Sequence, residues 1–563
     1  MASFLVDGTN WPTEARPFKI TNLLIHIFNG LALFVLLQKL GKRLGWVQPV
    51  WAALAGAGFW LLHPLQLSTV LYVVQRMTEL STLFTILGLI VYVQQRERAA
   101  NGNLLDSVRL LTVLALVTAA ATLSKENGIL LPALVLCLEL TVFAATAPVG
   151  PWRYARWALF LPVAAAAAII VVQWDRFEMG YMTREFTPSQ RMLTEPRVVL
   201  GYLSTILLPR PSDVTLFHDF YRASTSLWAP PETALAVVLL AGLTIAAIGY
   251  RKRFPVISAA WLFFLVAHSL EASPIPLELA FDHRNYLPLV GLALAVAWLV
   301  NRWLPSHNRI VLMLLGCVMV LFSAQIWVNA RIWGNLQIAS AVWPIEHPES
   351  PRAHQASAAF YSSSGDFASA REILLRGYAQ RPDASWLLLL ILQMECRMGV
   401  DAAEGSLPLA TEQLPSTPYN RSTLDTLDRI VELKATGMCQ RFSPDDIHRL
   451  IAALSQNPQY ASINNARAQL YFIDAQLLAF QSHPAEAAEK MALAYQSSPK
   501  SAFLYWQVIY RAAAYQFDLA ERALNEWLRV ESERTFGSDT TATEKELREL
   551  IAALRQASEK LQH

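Results

Sequence analysis

The sequence predicts an all-α protein in two parts, a polytopic helical membrane domain followed by a helical-repeat solenoid. Three observations predict it. Apolar runs of roughly spanning length recur about ten times before residue 330. Hydropathy falls after Asn329. In the second part, small residues and prolines recur at the spacing of a 34-residue helix–turn–helix unit. Composition agrees: 54% of 563 residues are hydrophobic, 16% are charged and mean hydropathy is +0.31, too apolar for a soluble chain of this size. A net charge of +2 offers no basic field to nucleic acid.

The apolar runs lie at about 20–38, 46–62, 80–94, 108–124, 128–146, 158–173, 232–250, 254–270, 286–303 and 309–328. Lys and Arg concentrate in the short loops 39–46, 95–107, 147–157, 251–253 and 302–309, which the positive-inside rule places in the cytoplasm. If the runs alternate, 1–19, 63–79, 125–127, 174–231, 271–285 and everything after 329 fall on the opposite side. Residues 198–208, bounded by Pro196 and Pro209, are too short to span and read as a re-entrant or interfacial segment within a long extracytoplasmic loop, 174–231. The first run lacks a basic n-region and a small-residue cleavage site, so it reads as a span. It runs from outside to inside, which fits either an additional helix upstream of residue 1 or a natural extracytoplasmic N-terminus.

The domains follow: 1–330 in the membrane, 331–352 as a linker and 353–563 as the repeat region. Ala358, Tyr361, Gly365, Ala370, Leu374, Gly377 and Pro382 fall on tetratricopeptide spacing. Tyr471, Ala475, Ala487, Ala494 and Pro499 do so again, and Tyr510, Ala520 and Leu524 form a looser third copy. Small residues suit helix crossings, and proline ends the second helix of a unit. Residues 383–470 are helical in pattern without the signature, and an amphipathic helix from about Thr543 closes the chain. Cys137 and Cys317 sit in apolar runs as small hydrophobes. Cys396 and Cys439 can pair if their compartment is oxidising.

Ionisable residues beside the apolar runs are the candidates for chemistry. In the stretch from His63 to Glu79, a helix would align Tyr72, Arg76 and Glu79 on one face. Arg76 either holds a phosphate or pairs with Glu79 at a helix end. Ser124-Lys125-Glu126-Asn127-Gly128 is a charged pivot: Lys125 meets a phosphate or carboxylate, or snorkels from an ordinary turn. Phe281-Asp282-His283-Arg284-Asn285-Tyr286 is a dense ionisable knot, in which Arg284 can bind a phosphate head group or the whole can anchor at the interface. His63, Asp282 and His283 are of metal-ligating type, but no ligand spacing supports a divalent metal. Asn22, His26 and Asn29 share one face of the first span and suit hydrogen bonds to neighbouring helices. No P-loop, dinucleotide fingerprint, HExxH or nucleophile elbow occurs.

Three stretches carry a resemblance: HPLQLSTVLYVVQRMTELSTLFTILGLIVYVQQR, LSKENGILLPALVLCLEL and LELAFDHRNYLPLVGLAL. Together with the repeats, they resemble the transmembrane-and-tetratricopeptide-repeat glycosyltransferases, whose eukaryotic relatives are protein O-mannosyltransferases. The resemblance implies a GT-C fold in a bacterial inner (cytoplasmic) membrane with the repeats on the periplasmic side. It implies transfer of a sugar from a polyprenyl-phosphate carrier to an acceptor protein's hydroxyl, without a further cofactor. Arg76, Lys125, His283 and Arg284 would hold the phosphate, supported by His63 and Glu79, and the repeats would dock the acceptor or a partner. The family's acidic first-loop base is expected upstream of residue 1; Asp7 and Glu14 do not match it, so the resemblance implies that residues 1–563 alone lack the base and are inactive. The alternatives are a non-catalytic membrane scaffold for envelope or pilus assembly, and a lipid-linked oligosaccharide polymerase or ligase.

Overall fold

The computed structural model describes residues 2–8, 13–146, 148–401, 404–533 and 541–562. Among them no strand forms, only an isolated bridge between Ser226 and Ala229, and the regular secondary structure is helical. The chain divides into two compact units, Met1–Tyr181 with Phe186–Ile338, and Met182–Glu185 with Ala339–His563.

In the first unit, 6 helices are long and apolar enough to cross a membrane: Ala15–Arg43, Val73–Asn101, Leu104–Ser124, Trp152–Val172, Glu232–Gly249 and Arg309–Gly334. Four of the ten runs expected from the sequence form shorter helices. Pro49–Leu61 has 13 residues, Leu131–Leu140 has 10 and Pro255–His268 has 14; Leu289–Pro305 is likewise short. A 13-residue helix rises only about 20 Å, against roughly 30 Å of hydrocarbon. Val73–Asn101 is central, with 61% of its apolar window buried. Trp152–Val172, Glu232–Gly249 and Arg309–Gly334 are peripheral, with 6%, 11% and 11% buried. Apolar surface on that scale suits lipid rather than water.

The last helical stretch, Leu289–Gly334, contains Pro305, which has no N–H to give the helix, and it is not straight. Gln48 N–H meets Asn301, a Cβ on Gly56 would meet Ala293 and Ala297, and Trp60 bonds the Tyr286 carbonyl. A Cβ on Gly58 would meet Met319, and Phe59 packs on Phe322. Ala297 and Met319 would stand about 33 Å apart along a straight helix, so both cannot lie beside Gly56 and Gly58. The two halves therefore run antiparallel against Pro49–Leu61, as the two separate runs 286–303 and 309–328 require.

Pro196 does not bound a short segment. The helix runs Pro188–Leu207 through it, started by a capping box in which Thr187 and Gln190 satisfy each other's backbone N–H. The carbonyl that Pro196 leaves without a helical donor belongs to Met192. Its inner face buries Arg191, Thr194, Glu195, Val198, Tyr202 and Ile206.

The second unit contains antiparallel helix pairs. Pro351–Ser363 packs on Phe367–Gln380, Asn464–Phe480 on Pro484–Ser497, and Ser501–Ala513 on Phe517–Ser532. The small residues read from the sequence sit at these crossings: Ala370, Ala475, Ala487, Ala494 and Ala520 are all 0% exposed. A Cβ on Gly377 would stand 2.7 Å from the His354 ring. Between the first and second pairs lie Leu387–Met398, Arg421–Ala435 and Pro444–Ser455, and Cys396 and Cys439 are joined as a disulfide with Cα atoms 4.9 Å apart. Thr541–Gln562 follows and buries Leu547 and Ile551.

Candidate functional site

The turn after Leu104–Ser124 places the first cation. Gly128 folds back so closely that a Cβ there would lie 2.2 Å from the Ala121 carbonyl carbon. Only glycine permits this approach. The resulting short helix Glu126–Leu130 turns Lys125 and Asn127 toward the same neighbour, Glu271. Lys125 Nζ stands 3.1 Å from Glu271 Oε1 and 3.1 Å from Thr78 Oγ1, and Asn127 Nδ2 donates to the same carboxylate oxygen at 2.5 Å. Arg284 Nε meets Glu271 Oε2 at 3.1 Å, while its Nη atoms donate to the Leu279 and Glu278 carbonyls.

Arg191 fixes the loop that carries Glu271. Its guanidinium donates to the carbonyls of Glu271, Ser273, Leu277 and Glu278, and Glu195 pairs with it at 2.6 Å. The loop contains Pro274 and Pro276 and makes little backbone pairing of its own, so a buried arginine supplies its donors. Asp282 accepts from His218 at 2.7 Å and from the Thr215 N–H at 3.1 Å, tying 174–231 to 271–285.

These groups shape one another electrostatically. Burial pushes the Glu271 carboxyl up, but Lys125 and Arg284 outweigh it, and the carboxyl falls to about 2. Burial and the Lys125 charge hold His283 down at about 3. Glu195 goes the other way: burial exceeds the pull of Arg191 and Arg284, and its carboxyl rises to about 7. Three cations, Lys125, Arg191 and Arg284, thus surround one firmly ionised carboxylate and one that protonates near neutrality.

The structure brings Lys125, His283 and Arg284 together and leaves the other candidates outside. Arg76 is fully buried with its fork taken up inside the protein. It bonds Asn22 at 2.9 Å, the Ser3 carbonyl at 2.7 Å and the Phe18 carbonyl at 3.1 Å, and pairs with Asp7. Among the described residues its ion pair is with Asp7 and not with Glu79. The helical face expected for Tyr72, Arg76 and Glu79 is broken: Tyr72 is extended between Gln66–Leu71 and the following helices, and is 50% exposed. His63 bonds the Ile206 carbonyl through Nε2 and accepts the Leu65 N–H on Nδ1, which uses both ring nitrogens of a neutral imidazole. Asn22, His26 and Asn29 bond neighbouring segments at Val70, Val73, Leu61, Glu79 and Tyr286.

Sequence reasoning missed Glu271 and Arg191. Each is a charge beside or within an apolar pattern, the signal that did single out Lys125. It also passed over Glu139 in the run 128–146. That carboxylate sits at the opposite end of the bundle, where Arg96, Arg156 and the Tyr92 hydroxyl meet it. The two ends therefore differ: the loops 63–79, 125–127, 174–231 and 271–285 gather at one, and the arginine-rich loops at the other. Among the described residues no group of three or more His, Cys, Asp or Glu could hold a metal ion.

Fold and site define a class: an all-helical chain with membrane-length apolar helices and a buried, cation-rich cluster at one end. Comparison with protein-family models, curated proteins and solved structures finds no match.

Proposed function

We propose that this chain is a membrane glycosyltransferase of GT-C type, moving a sugar from a polyprenyl-phosphate carrier to a hydroxyl on an acceptor protein. One observation supports it most. Lys125, His283 and Arg284, from stretches far apart in sequence, meet around Glu271 at one end of an apolar bundle, with Arg191 behind them. In the reaction the acceptor oxygen loses its proton to a base and bonds the anomeric carbon. The bond from that carbon to the phosphate oxygen breaks, and polyprenyl phosphate leaves with the electron pair. Lys125 and Arg284 offset the charge that grows on it. Glu271, held at about 2, is too weakly basic to take the proton and instead orients the two cations. Arg76 holds residues 3–7 against the bundle. The second unit, as a tetratricopeptide-type solenoid on the periplasmic side of an inner membrane, docks the acceptor.

Transfer of labelled sugar from a polyprenyl-phosphate donor to periplasmic proteins, measured with the full chain in lipid nanodiscs, tests this. Lys125→Gln is expected to lower turnover about a hundredfold, the scale of one lost oxyanion donor. Unchanged turnover in the folded variant would remove the phosphate role. Transfer only by a chain extended upstream with an acidic first loop would assign the base to that segment, and no transfer by either chain would favour the scaffold instead.

A further inference from the structure

Glu79 is not among the groups that meet Glu271. It stands in the first turn of Arg76–Asn101, is 0% exposed, and neither carboxylate oxygen has a hydrogen-bond partner. Arg76 pairs with Asp7 while its charge also acts on Glu79, and no ion pair involving Glu79 occurs among the described residues. Asn29 packs beside it. The Asn29 amide donates to the Glu79 backbone carbonyl at 3.0 Å and to the Tyr286 hydroxyl at 3.2 Å, which leaves its Oδ1, also buried, without a partner. The Tyr286 hydroxyl meets His26 Nδ1 at 2.9 Å.

Three buried oxygens, two of Glu79 and one of Asn29, thus lack donors in the interior of an apolar bundle. Buried polar atoms are satisfied in folded proteins, and charges at membrane depth are neutralised. A proton on Glu79 would supply one O–H and satisfy one of the three. A cation, unlike one proton, can take oxygen ligands from several directions. A divalent ion against a single carboxylate would leave a net positive charge, since such ions gather several carboxylates or waters. A monovalent ion leaves the interior neutral, with Arg76 and Asp7 already balanced.

We propose that Glu79 and Asn29, with the Tyr286 hydroxyl, hold a small monovalent cation such as sodium within the first unit. The site stands apart from the transferase reading. The test uses the full chain in nanodiscs, with thermal unfolding in sodium chloride, potassium chloride and choline chloride at equal ionic strength, and binding of radioactive sodium. The unfolding midpoint is expected to rise with the logarithm of sodium concentration and to stay flat in choline. Glu79→Gln, which is isosteric and uncharged, is expected to unfold no earlier than the unaltered chain in choline and to lose both sodium response and sodium binding. Asn29→Ser is expected to bind sodium about tenfold more weakly, a loss of one ligand's order. Equal midpoints in all three salts would overturn the site. So would an undiminished sodium response in Glu79→Gln, or stabilisation by acid in choline with no further effect of sodium.

Discussion

At the scale of single residues, the cluster around Glu271 is a matter of partner count. Lys125 and Arg284 are both buried, and the one carboxylate between them is what makes their burial tolerable. Glu271→Ala is therefore expected to destabilise the protein by about 3–5 kcal/mol, because it strands two cations rather than removing one weak contact. Chemical unfolding in detergent would measure it. The titrating groups give a second prediction with a definite sign. Glu195 binds its proton more tightly in the folded state, about 7 against 4.5, so its contribution to stability declines as pH rises from about 4.5 to 7. His283 binds more weakly when folded, about 3 against 6.5, so its contribution grows as pH rises over about 3 to 6.5. The two oppose one another between about pH 4.5 and 6.5. Glu195→Gln removes the declining part, and this variant is expected to lose stability on acidification from pH 6.5 to 4.5 more steeply than the unaltered chain. Matching stability–pH curves would contradict that assignment of the two groups.

At the scale of elements, the repeat hairpins show what the sequence displays and what it hides. The first pair turns at Gly365, whose φ of 83° is left-handed. The second and third turn at Ser482 and Tyr515, with φ of 64° and 59°. The same turn is built three times, but only the first carries the residue that marks it, so the later copies are fainter in sequence than in structure. A side chain in the left-handed region costs roughly 1–2 kcal/mol. Ser482→Gly and Tyr515→Gly are each expected to stabilise the second unit by up to about 1 kcal/mol, after the entropy glycine adds to the unfolded chain. Unfolding midpoints lower than those of the parent would show that the side chains offset the strain. The membrane helices differ in the same way. Their apolar character was legible throughout, while the short length of Pro49–Leu61 and Pro255–His268 was not, because hydropathy does not record where a helix is capped. Pro196 misleads because a proline inside a helical pattern disfavours the helix without always ending it, and Pro188–Leu207 continues through it.

At the scale of the whole molecule, the alternation of basic and mixed-charge loops anticipated which segments share an end, because loop charge is set by topology and survives in the sequence without any contact being known. The pairing of Lys125 and Arg284 through Glu271 was not legible, since residues 146 apart in the chain meet only when the bundle closes. Which compartment holds the second unit is a property of the whole chain, and the Cys396–Cys439 disulfide makes it measurable. Disulfides persist in oxidising compartments and are rare in reducing ones. Closing a loop of 43 residues is worth about 4 kcal/mol in the chain-entropy account. Cys137 and Cys317 remain free thiols. Cells quenched in acid, denatured without reductant and treated with a mass-tagged maleimide are therefore expected to yield a chain carrying two tags, rising to four after reduction. Two tags place residues 339–563 where disulfides form, as the periplasmic orientation requires. Four tags before reduction would place them in the cytoplasm, reverse the orientation of every helix in the first unit, and turn the Lys125–Glu271–Arg284 cluster toward cytoplasmic donors.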